Sequence, residues 1–262
     1  MPLILEKRGH VGLLTLSRPE ARNTLTEAMS SDLVDRLAQC EEDDEIRCIL
    51  LTGDEAGGAF SAGADIRDPA AHKIDSAAAF IRSVPKRKRH LVATLGGFPK
   101  PAVAAVNGYA IGIAAILTLC CDLVVASEKA EWRLPQTGLG IIPAHGGSVR
   151  AAQWMGRGNA MRLALGFPID GQEAFRMGLA QWLVPHAELM PKALEIAGRI
   201  AAQPPLATRM VKESIGTGLE MPNAELAGLA DAYRFFALEG TEDKQEGHAA
   251  WRERRPPEFG GR

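Results

Sequence analysis

Two glycine-containing stretches carry the residue types best suited to holding a charged oxygen. The first is Gly57-Gly58-Ala59-Phe60-Ser61-Ala62-Gly63-Ala64-Asp65-Ile66, and the second is Val106-Asn107-Gly108-Tyr109-Ala110-Ile111-Gly112-Ile113-Ala114. Each lies between a β-prone run and a helical one. Small residues let a backbone come close to a ligand, and the first turn of a helix leaves its N–H groups without partners. Two such loops facing each other would aim two backbone N–H groups at one oxygen, an oxyanion hole. Two ordinary tight turns packed on helices would show the same spacing. Neither stretch matches GxGxxG or GxxxxGK[ST], which argues against a nucleotide-phosphate cradle.

The elements that must position these loops read as follows. Leu3–Glu6 and Val11–Leu16 are short β-prone runs that form a hairpin through Lys7-Arg8-Gly9-His10. Thr24-x-x-Glu27 is a capping box opening a helix with Met29, Leu33 and Leu37 on one face, flanked by Val34 and Ala38, and ending in the acidic run Glu41–Glu45. Ile46–Leu51 is an apolar strand closed by Thr52-Gly53. A basic helix over 81–95 ends at Phe98-Pro99-Lys100-Pro101. Then come a strand at Ala102–Val106, a turn at Asn107-Gly108, a helix at Ile111–Leu119 and a strand at Cys121–Ala126. Strands alternating with helices predict an α/β fold with both sheet faces covered.

From about Gly146 the strand signal fades. Asp170-x-x-Glu173 is a second capping box with Gly178 as its stop, and 187–202, 205–215, 223–239 and 242–254 are helical in period. Leu226, Leu229, Ala230, Tyr233 and Ala237 give the third of these an apolar stripe. The chain therefore divides into an α/β core over 1–202 and a helical C-terminal region over 203–262. Broad apolar faces there dock on the core or on another subunit.

Composition narrows the function classes. At 262 residues and 46% apolar, with 27 Gly and 16 Pro, the chain can bury a core and is not a low-complexity polymer. Thirty basic against 32 acidic residues, net charge -2, supply no global field for nucleic acid or a membrane surface. The local run Lys86–Arg89 reads as a solvated helix face, with contact to an anionic ligand as the alternative. Cys40, Cys48, Cys120 and Cys121 have no CxxC spacing and no histidine at metal-ligand spacing, so they read as buried apolar residues in a reducing compartment, with no metal. The apolar stretch Ala110–Cys121 is too short to span a bilayer, and the first ten residues are not a secretory signal. A soluble, cytoplasmic protein is expected.

The stretches GAFSAGADI (58–66), KPAVAAVNGYAIG (100–112), CDLVVAS (121–127) and LGIIPAHGG (139–147) resemble the enoyl-CoA hydratase/isomerase family, the crotonase superfamily. RPEARNTLTEAM (18–29) and EGHAAWRERRPPEF (246–259) fit as well, so the resemblance runs over nearly the whole chain. It implies a crotonase-like spiral of ββα units with helices at the C-terminus that trimerise, giving a homotrimer or a hexamer built as a dimer of trimers. It also implies an acyl-CoA thioester as substrate, with coenzyme A as part of that substrate and no separate cofactor. By motif position the backbone amides of Ala64 and Ile113 would form the oxyanion hole and stabilise an enolate. Coenzyme A would meet Arg22, Ala62, Asp65 and Ile66 from this chain, and Trp251 and Arg254 from a neighbouring subunit. Helix packing is the alternative role for the last two.

The sequence departs from the family at the residues that carry hydration. Members that hydrate a double bond use two glutamates, and at those positions stand Ile116 and Gln136, neither of which exchanges a proton near neutral pH. Efficient hydratase chemistry by that route is not expected. Ile113 in place of glycine keeps its N–H but narrows the pocket. Other members place an aspartate where Ala144 stands here; the adjacent His145 is the titratable residue of that loop and an acid/base candidate. Three functions remain open: an enolate-stabilising acyl-CoA enzyme, a β-diketone C–C hydrolase using His145, and a catalytically silent acyl-CoA binder. His10, His72, His186 and His248 read as surface residues, while His90 approaches the pocket from the preceding helix or is also surface.

Overall fold

Parallel strands that must bury both faces need apolar residues at nearly every position, and Cys48–Gly53, with Thr52 bonded to the Ala105 carbonyl, and Ala102–Val106 provide them. In the computed structural model, which describes residues 2–69, 76, 78, 90–221 and 223–262, both stretches are strands without an exposed residue. The basic run Lys86–Arg89, His72 and most of the helix expected over 81–95 lie outside the described residues.

The large sheet has six strands in the order β1 (Leu3–Arg8), β2 (Val11–Leu16), β3 (Cys48–Gly53), β5 (Ala102–Val106), β7 (Leu123–Ser127) and β10 (Trp182–Val184). Only β1 and β2 pair antiparallel, through a turn of two residues, Gly9-His10, rather than the four expected. A second, four-stranded sheet has the order β4 (Ala59–Ser61), β6 (Tyr109–Ile111), β8 (Glu131–Arg133) and β9 (Ile169–Asp170). Its strands β4, β6 and β8 are parallel.

The connectivity repeats. β3 runs into β4, β5 into β6 and β7 into β8, so each pair places its first strand in the large sheet and its second in the small one. Helices α2 (Leu91–Gly96), α3 (Ile113–Thr118) and α4 (Gly147–Ala164) follow these pairs, so that a ββα unit recurs along the chain. Strand, strand and helix winding in this way is the α/β spiral expected. The small sheet was not legible, because β4, β6 and β8 are three residues each; β4 and β6 lie inside stretches read as loop or helix, and β8 in a stretch given no element.

The period of two along β3 sorts its side chains between two cores. Ile49 and Leu51 face a cluster with Met29, Leu33 and Leu37 of α1 (Glu27–Glu42), and Cys48 and Leu50 face Ala193, Ile196 and Ala197 of α6 (Leu189–Ala201). Helix α1 is capped by Thr26, whose hydroxyl accepts from the Met29 N–H at 3.1 Å, and not by the expected Thr24. Thr24 is occupied elsewhere, as shown below. The N-cap half of the second box is as expected: Asp170 accepts from the Glu173 N–H at 2.8 Å and opens α5 (Gly171–Met177), which ends at the left-handed Gly178, while the Glu173 carboxylate accepts from Arg162.

Three helices close the described chain: α7 (Pro205–Gly218), α8 (Ala224–Leu238) and α9 (Glu242–Glu253). Neither α7 nor α8 has a buried residue, and Val211, Ile215, Leu226, Leu229, Tyr233 and Phe236 are all more than half exposed. The stripe expected on α8 exists, but the core does not cover it. Polar bonds hold α7 to α8 instead, from Ser214 to Asp231 and from Arg234 to Glu213 and Thr217. Lys212 fastens α7 to the body, donating to the Lys100 carbonyl at 3.0 Å and to Asp122 at 2.8 Å. The end of the chain folds back on α9: the buried Asp243 carboxylate accepts from the N–H groups of Gly260 and Gly261, and Arg255 forks onto Glu246. Among the described residues no helix is long and apolar enough to cross a membrane.

Candidate functional site

The two loops of small residues leave the carboxyl ends of neighbouring parallel strands, β4 and β6, which pair from Ala59 with Tyr109 to Ser61 with Ala110. Carboxyl ends of adjacent parallel strands are where α/β sheets open a crevice for ligands. The loops also touch. A Cβ on Gly63 would stand 2.6 Å from the Ile111 carbonyl oxygen, so only glycine lets the first loop lie this close to the second. Gly63 takes φ +94°, a conformation that side chains disfavour.

Ala64 follows, and its neighbours are held on both sides. The Leu25 N–H donates to the Gly63 carbonyl at 2.8 Å and the Asp65 N–H donates to the Leu25 carbonyl at 2.9 Å. The Ala64 N–H makes no hydrogen bond among the described residues, and Ala64 is exposed. In the second loop the Gly112 N–H is taken by the Arg133 carbonyl at 2.8 Å, which zips the end of β6 to the end of β8. Ile113 is the first residue of α3, half-buried, and its N–H likewise makes no hydrogen bond among the described residues. Two fixed backbone donors without acceptors therefore stand on two loops in contact.

A side-chain knot fixes the first loop, and sequence reasoning did not find it. Asn23 is fully buried with φ +57°. Its amide donates to the carbonyls of Asp54 (2.9 Å) and Ala59 (2.8 Å), and its oxygen accepts from the Arg18 N–H at 3.0 Å. The Arg18 guanidinium donates to the carbonyl and hydroxyl of Thr24 and to Asp65 at 3.0 Å. The Arg67 N–H and this guanidinium hold the Asp65 carboxyl below the usual carboxylate range. Asp65, expected to face coenzyme A, thus has its carboxylate engaged within the chain. The available signal was the RN pair at 22–23 followed by Thr24, but nothing local in it says that the Asn23 amide reaches Asp54 and Ala59, more than thirty residues away.

The remaining expected residues separate into near and distant. The Arg22 carbonyl accepts from the Ala62 N–H at 3.0 Å, so these two positions adjoin, while the Arg22 side chain is exposed. Ile66 is 92% exposed at the mouth of the same loop. Trp251, 82% exposed, and Arg254, in the left-handed cap of α9, share no hydrogen bond or ion pair with the 62–66 loop. A groove of about 1060 Å³ between α7 and the body, bordered by Phe98, Cys120, Trp154 and Lys212, does not include Ala64, Ile113 or Gln136.

Ile116 lies one helical turn beyond Ile113 and is 1% exposed. Its side chain packs against Gly147 at the start of α4, where a Cβ would stand 2.7 Å from both Cγ1 and Cδ1, with Pro143 alongside. Gln136 lies in the turn Pro135–Leu139 just after β8. Its Nε2 is 3.5 Å from where a Cβ on Gly112 would be, and its Oε1 is buried without a donor. Ile116 and Gln136, the two positions at which the resemblance places the glutamates of hydrating members, thus lie close to the second loop, filled by a hydrocarbon and an amide.

His145 is exposed, with φ +58°, in the loop that ends at Gly147. Its ring stacks on His90 with centroids 3.7 Å apart and planes 18° from parallel. His90 in turn accepts from the Val92 N–H at 3.3 Å, capping α2. His186, expected on the surface, is partly buried between Ser127 (3.0 Å) and Glu55 (3.4 Å). All four cysteines are buried and free, as expected. Burial pushes the Cys40 and Cys120 thiols up to about 11 and the Cys48 thiol up to about 12.

Comparison with known proteins gives the family of the chain. The family model described as Enoyl-CoA hydratase/isomerase matches residues 6–262. The chain is 38% identical over 262 residues to the 2,3-dehydroadipyl-CoA hydratase of Escherichia coli K12, covering 99% of each chain. It is 35% identical to the mitochondrial enoyl-CoA hydratase of Pongo abelii, covering 98% of this chain and 87% of that one. The solved structure of the enoyl-CoA hydratase from Bacillus anthracis superposes with a TM-score of 0.91 at 32% identity, over the whole of both chains. Motifs, spiral connectivity and whole-length similarity converge, and the chain belongs to the enoyl-CoA hydratase/isomerase family.

Proposed function

We propose that this chain binds an acyl-CoA thioester and stabilises its enolate form through the backbone N–H groups of Ala64 and Ile113. The observation that carries this reading is the pair of acceptor-free donors on two loops in contact. A thioester carbonyl accepting from both would gain most as negative charge develops on its oxygen. Preorganised donors of this kind are worth about 3–4 kcal/mol each in reactions of this type. Hydration by paired carboxylates is excluded from the proposal, because Ile116 has no proton to exchange and Gln136 neither donates nor takes one near neutral pH.

Acetoacetyl-CoA should raise the melting temperature of the chain, and no shift at millimolar ligand would remove the coenzyme A reading. Crotonyl-CoA hydration should be at least about 10²-fold slower than in a two-glutamate enzyme, since each acid–base contribution is worth roughly 10²–10⁴. Hydration at the rate of such an enzyme would overturn the reading of Ile116 and Gln136. Binding without turnover on any acyl-CoA would mark the chain as a silent binder.

The exposed apolar faces of α7 and α8 support a homotrimer, alone or paired into a hexamer, since side chains such as Tyr233 and Phe236 at 70% exposure ask for a cover. Light scattering should give three or six times the 28.1 kDa chain. The His90–His145 stack supports a second reading, hydrolytic C–C cleavage of a β-diketone with His145 as the acid/base. A screen of β-diketones read by mass spectrometry tests it, and full activity in His145→Ala would end it.

A further inference from the structure

The Ala64 N–H makes no hydrogen bond among the described residues, so its direction is set by its neighbours. The Leu25 N–H donates to the Gly63 carbonyl at 2.8 Å, and the Leu25 carbonyl accepts from the Asp65 N–H at 2.9 Å. Leu25 therefore grips the chain immediately before and immediately after Ala64. Whatever fixes Leu25 and Asp65 aims the donor between them.

One nitrogen reaches both sides of this bridge. Arg18 Nη1 donates to the carbonyl of Thr24 (2.9 Å), the residue directly before Leu25, to the Thr24 hydroxyl (3.1 Å) and to Asp65 Oδ2 (3.0 Å). The other Asp65 oxygen, Oδ1, accepts from the Arg67 N–H at 3.1 Å and turns the chain just past the bridge. Hydrogen bonds between a cation and a carboxylate are stronger than neutral ones, and these are partly buried. The other acid near the guanidinium, Glu20, is exposed and meets Nε at 3.8 Å. The backbone of Arg18 is held separately: its N–H donates to Asn23 Oδ1 at 3.0 Å, and its carbonyl accepts from the N–H groups of Ala21 and Asn23. A change of side chain at position 18 leaves those backbone bonds available, so the reach of the guanidinium to Ala64 separates from the fold of the turn at 18–23.

We propose that Arg18 is a positioning residue of the oxyanion site, which holds the Ala64 N–H in the direction that meets an enolate oxygen and so favours the enolate over the neutral thioester. Arg18 touches no reacting atom in this role and acts through Thr24, Leu25 and Asp65. Fixed donors gain most where charge develops, so a loosened donor weakens the enolate more than the keto form of the same ligand. This inference rests on the acyl-CoA reading above.

Acetoacetyl-CoA tests it, because this ligand ionises to its enolate without a catalytic base and the enolate has its own ultraviolet absorbance. A pH titration of that absorbance on the full chain reads the enolate, and calorimetry at a pH where the ligand is neutral reads the keto form. On the unaltered chain the bound ligand should ionise at a lower pH than the free one. Arg18→Met should raise that midpoint by about one pH unit or more, a loss of about tenfold in enolate stabilisation, while keto-form affinity falls by less than about threefold. Arg18→Lys, whose ammonium brings three donors to the same acceptors, should recover most of the shift. If Arg18→Met does not fold, Asp65→Asn, which removes the charge that the guanidinium meets, should raise the midpoint in the same direction. A midpoint unmoved in the folded variant, equal losses for the two forms, or no recovery in Arg18→Lys overturns the role of Arg18 and leaves the acyl-CoA reading standing. Failure of the unaltered chain to bind acetoacetyl-CoA, or binding that does not lower its midpoint, overturns the enolate reading and this inference together.

Discussion

Replacing Gly63 by alanine tests whether the contact between the two loops builds the proposed oxyanion site. The new Cβ meets two obstacles. At φ +94° it stands in a conformation costing about 1–2 kcal/mol for a residue with a side chain. It also lies 2.6 Å from the Ile111 carbonyl oxygen, a backbone atom of a paired strand that cannot swing aside, and forced contacts of this kind cost about 1–3 kcal/mol. Restricting the unfolded chain returns about 0.4–1 kcal/mol. The expected net loss is therefore about 1–5 kcal/mol. Gly58→Ala is the matched control: it has φ +62° but nothing within 4 Å of its Cβ, so strain alone should cost about 1 kcal/mol or less after the same correction. Urea unfolding of the two variants measures the difference, and acetoacetyl-CoA titration measures its effect on the site. Gly63→Ala should lose most of its ligand affinity because the Ala64 N–H moves away from Ile113, whereas Gly58→Ala should keep it. Equal stability losses, with ligand binding intact in both, would refute the claim that loop contact positions the donors.

Further outcomes follow from the other contacts. Lys212→Met should lower stability by about 1–2 kcal/mol, since it leaves the partly buried Asp122 carboxylate with only the Ala102 N–H, and hydrogen exchange should rise selectively in α7; an unchanged urea midpoint would count against this anchor. The Arg255 guanidinium and the Glu258 N–H lower the Glu246 carboxyl from 4.5 to about 2. A lowered folded-state value means the clip is complete above about pH 4.5 and is lost as pH falls toward 2. Proteolysis of residues 255–262 should therefore accelerate over that window, and Glu246→Gln should make it fast at every pH. Cys40, Cys48 and Cys120 have values raised from 9.0 to about 11 or 12, so at pH 8 none should react quickly with a disulfide reagent until urea unfolds the chain. Their burial favours the folded state below about pH 9, and that contribution fades as pH rises through 11. Rapid labelling of the native chain would contradict the packing around them.

Much of this arrangement can be read from local pattern. The long strands β2, β3, β5 and β7 and the helices from α5 onward fall within a few residues of where hydrophobic period and caps place them. The family motifs then assign the loops. What escapes is set by distance in the chain. Three-residue strands carry no period, so the small sheet that aims both loops is invisible until it pairs. Thr24 and Thr26 are equally good caps in isolation. The choice is made by Arg18, which occupies Thr24 and leaves Thr26 to the helix. Motif position assigned Asp65 to coenzyme A, and its ion-pair partner Arg18, 47 residues earlier, gave no local sign. Gln136 registered only as a missing glutamate, since an unmet amide is a property of surroundings rather than of sequence.

The pairing pattern of the small sheet also gives the site a direction in time. Leu25 receives Ala64, Ala59 receives Tyr109, and Tyr109 receives Glu131, so each segment joins an edge made of chain that precedes it. During synthesis the knot at Arg18 and Asn23 can close on the first loop before Ile113 exists, and Gln136 arrives only after both donors have their supports. The segments that carry the proposed oxyanion site are thus each paired to chain that is synthesised before them. Damage to residues 18–25 would remove the template on which every later part of the site is laid.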